Sequence, residues 1–490
     1  MSAGLLPPPE SDGRRVQTIF ERQPPPPGLV ERALAGAQLT PFWLDDLPDT
    51  DIYPLLPTTP ARRFDLVIVG AGYTGLWSAL RAVQRNPGIT VAVIEAHTVG
   101  WAASGRNGGF VEASLTHGTD NGQRRWPTQI GRLEHLGKAN LDDIEQTVKT
   151  LGVDCDFERN GSITVATEPH QVRDITTKPP RTGSRYLDRD ATRAQVNSPT
   201  YLAGVWATDS TALVHPAKLA AGLARAVTSV GVEIFEHTKA VAVEHRPAGT
   251  DVVVRTEHGS IQGGRIILAT NAFPSLLRRY RWHTVPVYDY VLMTEPLTDS
   301  QLSEIGWQHR QGISDMANQF HYYRLTKDNR ILWGGYDAVY HFGKSIRSRY
   351  EDRDPTYRRL AAHFFTTFPQ LEDTRFSHRW AGVIDTSTRF CAFFGSARSG
   401  RVAYAAGFTG LGVAAARFAA DVMLDRLDGA VTERTELDMV SAMPLPFPPE
   451  PLAALGINAA RWSLDRADHH LGKRNLFLKA LDSLGLGFDT

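Results

Sequence analysis

The sequence predicts an α/β fold, α+β when the whole chain is counted, with a βαβ unit in one region and an antiparallel sheet in another. Two stretches carry this reading. Phe64 to Glu95 runs as strand, glycine turn, helix and strand. Val285 to Arg375 alternates short strand patterns with aromatic residues and contains a hairpin. At 490 residues the chain is long for one domain, so two intertwined domains are expected.

Asp65 to Val69 is a short run rich in β-branched residues, the mark of a buried strand. Gly70-Ala71-Gly72-Tyr73-Thr74-Gly75 follows at once, and a helical pattern then runs to about Arg85 and stops at Asn86-Pro87-Gly88. Thr90 to Ile94 is a second strand that ends in Glu95, 20 residues after Gly75. Strand before, helix after and an acid at this offset make a Rossmann-type dinucleotide-binding unit. Gly70 permits the tight turn, Gly72 lets a pyrophosphate approach the backbone, and Gly75 lets helix and sheet pack closely. Tyr73 and Thr74 lie at the helix start, where free N–H groups and the dipole favour a diphosphate. Glu95, followed by Ala96, is placed for ribose hydroxyls. The motif alone does not separate FAD from NAD.

Composition narrows the partners. Lys+Arg and Asp+Glu both number 53, so no basic excess points to nucleic acid. Cys155 and Cys391 are the only cysteines, which excludes a disulfide framework and a C-x-x-C site. No metal site is expected. The N-terminus lacks a basic stretch followed by an apolar core, and no run of 18 apolar residues occurs. The cytoplasm is the expected location.

Residues 1 to about 60 are studded with proline, and the first 28 are expected to be mobile. Phe42, Trp43, Leu44, Ile52 and Tyr53 are too apolar for a free tail and predict an extended strap over the surface. After Glu95, Ala102-Ala103-Ser104-Gly105-Arg106-Asn107-Gly108-Gly109 is a loop of permissive backbone suited to a large planar ligand. Residues 132 to 150 read as an amphipathic helix, and 161 to 166 as a strand. Leu219 to Val230 is a helix, followed by strands at 232–234, 240–243, 252–255 and 264–270. Phe320 to Thr326 and Arg330 to Gly335 form a hairpin across Lys327-Asp328-Asn329. Val402 to Val413 is strand, glycine turn and the start of an Ala-rich helix that runs to Leu427. Pro444 to Pro451 leads to a helical tail with interspersed cations. Docking of that tail on the body or on a second subunit is expected ahead of a membrane surface, and a homo-oligomer stays open.

GAGYTG, then Glu95, then VGWAASGRNGG resembles the FAD-dependent D-amino-acid oxidase superfamily, and within it the gamma-glutamylputrescine oxidase and glycine oxidase branches. Y-x-R-L-T-x-D-x-R-x-L-x-G-G at 322–335 and the ATNA block at 269–272 support the resemblance. It implies a Rossmann-type FAD-binding domain from 61–145, 205–280 and 376–430. A discontinuous antiparallel-sheet substrate domain would come from 146–204 and 281–375. A proline-rich extension (1–60) and a helical tail (444–490) flank them. It further implies cofactor contacts at Gly70, Gly72, Tyr73, Thr74, Gly75, Glu95, Ala96, Ser104, Arg106, Asn107 and Gly108. Val241, Thr270, Asn271, Phe408, Thr409, Gly410, Leu411 and Gly412 complete that set. Cys391 is read as lying in a strand away from the position where some relatives attach flavin, so FAD is expected to be non-covalent.

The resemblance also implies the chemistry. A small amine would give up a hydride to flavin N5, the imine would hydrolyse to a carbonyl, and dioxygen would reoxidise the flavin to yield hydrogen peroxide. Tyr322 matches a tyrosine that holds the substrate's polar group, and His321 is the neighbouring catalytic candidate. Tyr288, Tyr290, Arg324 and Trp333 are candidate substrate contacts, although strand alternation turns about half of such side chains away. Trp380-Ala381-Gly382-Val383-Ile384 departs from the family's W-x-G-x-R, in which an arginine pairs with a substrate carboxylate. A carboxylate facing Ile384 would be desolvated without a partner. Amines without an α-carboxylate are therefore favoured unless another cation, Arg324 or Arg106, substitutes, with Asp385 either attracting a cationic end or capping a turn. Two alternatives stay open: the same site with another electron acceptor, and a flavoprotein that serves as an interaction module.

Overall fold

The computed structural model describes residues 15–48, 51–57, 62–177, 183–245 and 251–486. Two sheets organise it. In the first, the strand Arg62–Val69 lies between Ser260–Leu268 and Val91–Ile94, parallel to both. Glu233–Phe235 extends the parallel core on one side and Val402–Ala406 on the other. Phe393–Ala397 and the hairpin Ala240–His245/Val252–Thr256 are added antiparallel. Leu66 to Val69 are all buried, as a parallel strand covered on both faces requires. The helix Tyr73–Arg85 packs beside Gly412–Asp428, whose alanines permit the close approach. Arg81 and Arg85 bridge to Asp421 and Asp425 across that contact.

The second sheet is antiparallel except where Gly312–Asp315 runs beside Ser162–Ala166. Its longest pairing is Thr284–Thr294 with Phe376–Ser387, at one end of the sheet. Phe376–Ser387 was expected with the nucleotide-binding part, yet it pairs along its length with Thr284–Thr294, so the chain rejoins the parallel sheet only after Ser387. Strand Ala203–Ala207, which crosses the boundary expected at 204/205, belongs as a whole to the antiparallel sheet. A two-stranded ribbon, Phe110–Glu112 with Thr211–Leu213, lies at the junction of the two sheets and packs against strand Gly312–Asp315.

The N-terminal expectation needs correction. Residues 1–14 lie outside the described residues, but the chain is pinned from Arg15 onward. The Ile19 N–H donates to Glu168 at 2.6 Å, Arg22 pairs with Glu168, and Phe20 stacks on His363. Phe42 and Trp43 are buried in the short helix Phe42–Asp45 rather than in extended strap. The C-terminal helices Leu452–Asp468 and Leu476–Ser483 dock through the small residues Ala453, Ser463 and Ala467 and through Leu478. Their larger apolar residues Leu455, Trp462, Leu476 and Leu484 face outward. Among the described residues, no helix is long and apolar enough to cross a membrane.

Candidate functional site

Backbone demands explain the glycine turn. Gly70 has φ +110°, and a Cβ there would lie 2.5 Å from the Ala269 carbonyl oxygen. A Cβ on Gly75 would meet the Gly70 carbonyl oxygen at 1.8 Å, so helix and turn pack with no room for a methyl group. At Gly72 a Cβ would come within 2.8 Å of Ser104 Oγ, which accepts the Tyr73 N–H at 2.9 Å. Tyr73 through Gly75 form the first turn of the helix, where N–H groups have no partner within the helix.

Glu95 accepts the Ala71 N–H at 2.8 Å and the His97 N–H at 2.9 Å. Burial holds its carboxyl above the usual range, against the pull of those backbone donors and the Ala96 N–H. Thr238, three residues ahead of the exposed Val241, donates its N–H to the Glu95 carbonyl. At the end of Ser260–Leu268, Thr270 Oγ1 is buried and has no partner, and Asn271 takes φ +46°. An orphaned hydroxyl beside a helix N-terminus and a glycine cradle fits a dinucleotide diphosphate.

The loop at 103–109 is held by its own side chains. Asn107 Nδ2 donates to Ala103 O and Ser104 O, and Asn107 Oδ1 accepts the Gly109 N–H. Arg106 pairs with Glu351 at 2.7 Å and donates to Trp101 O. Trp43 and Trp380 clamp the loop through Asn107 O and Arg106 O. In the turn before helix Gly412–Asp428, Asp385 accepts the N–H groups of Gly407 at 2.6 Å and Phe408 at 3.2 Å. Thr409 stands at φ +51°, with its Oγ1 taking the Ser387 N–H, and Gly410 is open to solvent. Leu411 precedes the helix. Asp385 is thus a turn cap, and its burial pushes its pKa up to about 7.

The antiparallel sheet divides the remaining candidates by face. Tyr322 rests on Gly108, where a Cβ would lie 2.7 Å from the ring, and across Gly334, where a Cβ would lie 2.6 Å from Cζ. It donates its hydroxyl to Asp289 Oδ2 at 2.5 Å. Asp289 pairs across the sheet with Gly382, and Ile384 with Val287, so Ile384 shares this face. Asp289 is only partly exposed, and burial pushes it up to about 6. Burial, and then the charge of Asp289, hold the Tyr322 phenol well above its ordinary range.

Four candidates face the other way and are corrected. His321 is fully buried, with Nδ1 2.7 Å from Asp315 and Nε2 3.0 Å from His363. Trp333 packs on Tyr323 at 4.5 Å. Tyr290 donates to Tyr350 O, and Tyr288 accepts the Arg347 N–H. One alternation explains all four: their neighbours Tyr322 and Asp289 lie on the face that meets Gly108, so these four point to the core. Arg324 shares the Tyr322 face, but it lies behind Trp43 and Gly109 and lines a separate cavity. Cys391 lies in the bend ahead of strand Phe393–Ala397, not within a strand, and burial raises its thiol.

Sequence reasoning passed over Asp289, Glu112 and Glu351. Asp289 was visible as an acid in the middle of an apolar strand. Glu112 extends from the ribbon two residues beyond Phe110, whose ring meets Tyr322 edge-on at 5.9 Å. Its carboxylate accepts the Thr211 hydroxyl at 2.9 Å, and burial pushes it up to about 7.

The family model described as FAD dependent oxidoreductase (DAO) matches residues 65–426. The chain is 30% identical over 400 residues to the gamma-glutamylputrescine oxidoreductase of Escherichia coli, covering 78% of this chain and 88% of that one. It is 27% identical over 390 residues to a probable oxidoreductase, OrdL, of Haemophilus influenzae, with 76% and 85% covered. The crystal structure of glycine oxidase from Geobacillus kaustophilus shares the fold, with a TM-score of 0.62 at 18% identity over 76% of this chain and 96% of that one. The chain belongs to the DAO family of FAD-dependent oxidoreductases, which oxidise CH–NH2 donors.

Proposed function

We propose that this DAO-family oxidoreductase oxidises the C–N bond of a small amine that lacks an α-carboxylate, with dioxygen as electron acceptor and hydrogen peroxide as co-product. The observation that carries the reading is the Tyr322–Asp289 pair on the same face as Ile384. A carboxylate at that face would meet an acid and an apolar side chain, whereas an ammonium would meet Asp289.

The glycine turn at 70–75, Glu95, Thr270 and the turn at 407–412 would hold FAD, which supplies the two-electron sink for the C–N bond. This chain's own residues bind and orient the amine. Asp289 draws the ammonium in, and with its pKa near 6 it exchanges the proton that must leave before the amine nitrogen can share its lone pair. Tyr322, resting on Gly108 and Gly334, fixes the carboxylate's direction. Gly108 leaves the loop backbone close to the ring. Attachment of FAD is non-covalent in this reading, because the Cys391 thiol is buried and held protonated.

The test is anaerobic mixing of the flavin-loaded protein with a library of alkylamines, diamines, N-methyl compounds and α-amino acids, followed by peroxide measurement in air. Amines without a carboxylate should bleach the flavin fastest and yield peroxide. Preferential bleaching by α-amino acids would reverse the substrate reading. Flavin that stays with acid-precipitated protein would reverse the non-covalent one.

A further inference from the structure

Behind Trp43, away from Tyr322 and Asp289, lies a cavity of about 260 Å³ whose lining includes Trp43, His215, Lys218, Arg324, Asp46 and Asp156. Its deepest feature is an electrostatic anomaly. Arg324 is only 2% exposed, yet among the described residues it has no carboxylate partner. Its Nη1 donates to Val214 O at 2.6 Å and its Nε to Leu325 O at 3.2 Å. The guanidinium also lies over the Trp43 ring, 5.7 Å from its centroid. Nη2 is bonded to no described residue. A buried cation with two carbonyls and no counter-ion is costly, and burial accordingly lowers the Arg324 pKa to about 10.

The surrounding charges do not supply the missing anion. Asp156 is shared by Lys218 at 3.0 Å and Lys327 at 3.1 Å. Asp328 belongs to Arg330 at 2.7 Å, and Glu158 to Arg310 at 3.4 Å. Asp46 lies 3.2 Å from His215 and 3.7 Å from Lys218. His215 is neutral at ordinary pH, since burial and then Lys218 push its pKa down to about 3. Among the charged residues that line the cavity, Arg324, Lys218 and Lys327 equal Asp46, Asp156 and Asp328 in number, but those acids are taken up by Lys218, Lys327, His215 and Arg330 and none bonds Arg324.

We propose that this cavity is a binding site for a small carboxylate, held between Arg324 and Lys218 with its apolar body against Trp43, and separate from the reaction site. One carboxylate would supply the counter-ion that Arg324 lacks. The two N–H groups of Nη2 and the Lys218 ammonium offer charge-assisted donors to the two carboxylate oxygens. The aromatic wall of Phe42 and Trp43 suits a short hydrocarbon body better than a fully hydrated inorganic ion.

The experiment is calorimetric titration of the flavin-loaded full chain with propionate at constant ionic strength. Propionamide, its neutral isostere, serves as the reference. Propionate should bind at least tenfold more tightly than propionamide, and the Lys218→Met variant should lose at least tenfold of that affinity with its flavin content unchanged. Arg324→Met should abolish propionate binding. Lys218, on the cavity rim, keeps the idea testable if that buried variant does not fold. Equal binding of acid and amide, no binding of propionate, or undiminished affinity in Lys218→Met would overturn the proposal. So would displacement of propionate by an oxidisable amine, because the anion would then sit in the reaction site.

Discussion

The strand His321–Leu325 serves two environments one residue apart. On one face His321, Tyr323 and their neighbours Tyr288, Tyr290 and Trp333 close a dry aromatic core, in which every ring is nearly or fully buried. On the other face Tyr322 and Asp289 stand over two glycines, and a buried acid and phenol are both held away from their ordinary pKa values. The first face gains stability from apolar area, about 1.5–3 kcal/mol for each large side chain buried. The second gives some up, since a partly desolvated carboxylate replaces a side chain that could have packed. Such an exchange of stability for a charged, open surface marks where chemistry is expected.

Opposite outcomes on the two faces would establish the division. Trp333→Ala should cost about 3–5 kcal/mol of stability by emptying the core between Tyr323 and Phe364, measured by thermal or denaturant unfolding. Its kcat per bound flavin should change less than threefold. A loss of turnover larger than the loss of folded protein would return Trp333 to the site. Asp289→Asn should do the reverse. It should lower kcat/KM for amines on the order of 100-fold without the loss of folding stability expected of Trp333→Ala. In the parent, kcat/KM should also fall as pH drops below about 6, where Asp289 protonates, and the Asn variant should lose that limb. An unchanged pH profile would remove Asp289 from the proton exchange.

A smaller effect is expected at Ile384, opposite Val287 on the Tyr322–Asp289 face. Ile384→Arg should raise the ratio of kcat/KM for an α-amino acid over that for its decarboxylated amine by about tenfold, through a bidentate pair with the carboxylate. No change in the ratio would mean that the substrate's polar end does not reach this position.

These faces differ in how well the sequence exposes them. The nucleotide turn was legible because backbone geometry dictates residue type: at Gly75 a methyl group has nowhere to go. The assignment within 288–335 was not, because both faces carry aromatics and a one-residue register choice decides which side each ring takes. Asp289 was hidden between two tyrosines that drew attention by type, and Gly334, which lets Tyr322 lie flat, read only as part of a hairpin. The ends of the chain misled for another reason. Proline suggests mobility, but Ile19 and Phe20 find partners far away in sequence, at Glu168 and His363. In the C-terminal helix Leu452–Asp468, docking uses Ala453, Ser463 and Ala467, so a search for large apolar stripes picks out the exposed side.

The smallest expected effect compares the two faces by titration alone. On the core face, burial and then the neighbouring His321 push His363 well below its ordinary 6.5, so it stays neutral in the folded protein. The unfolded chain then takes up the proton first as pH falls below about 6.5, and stability drops with acidification. On the Tyr322–Asp289 face the sign reverses. Asp289 is raised from 3.8 to about 6, so between about pH 4 and 6 the folded protein holds the extra proton and stability falls as pH rises. The two contributions oppose each other across that window and flatten the parent's curve. Denaturant unfolding between pH 4 and 7 should therefore steepen in opposite directions in the two variants. Asp289→Asn should leave a curve that rises with pH, and His363→Gln one that falls, relative to the parent. Curves that shift the same way would mean that the two faces share one electrostatic environment, and the division drawn across this strand would not hold.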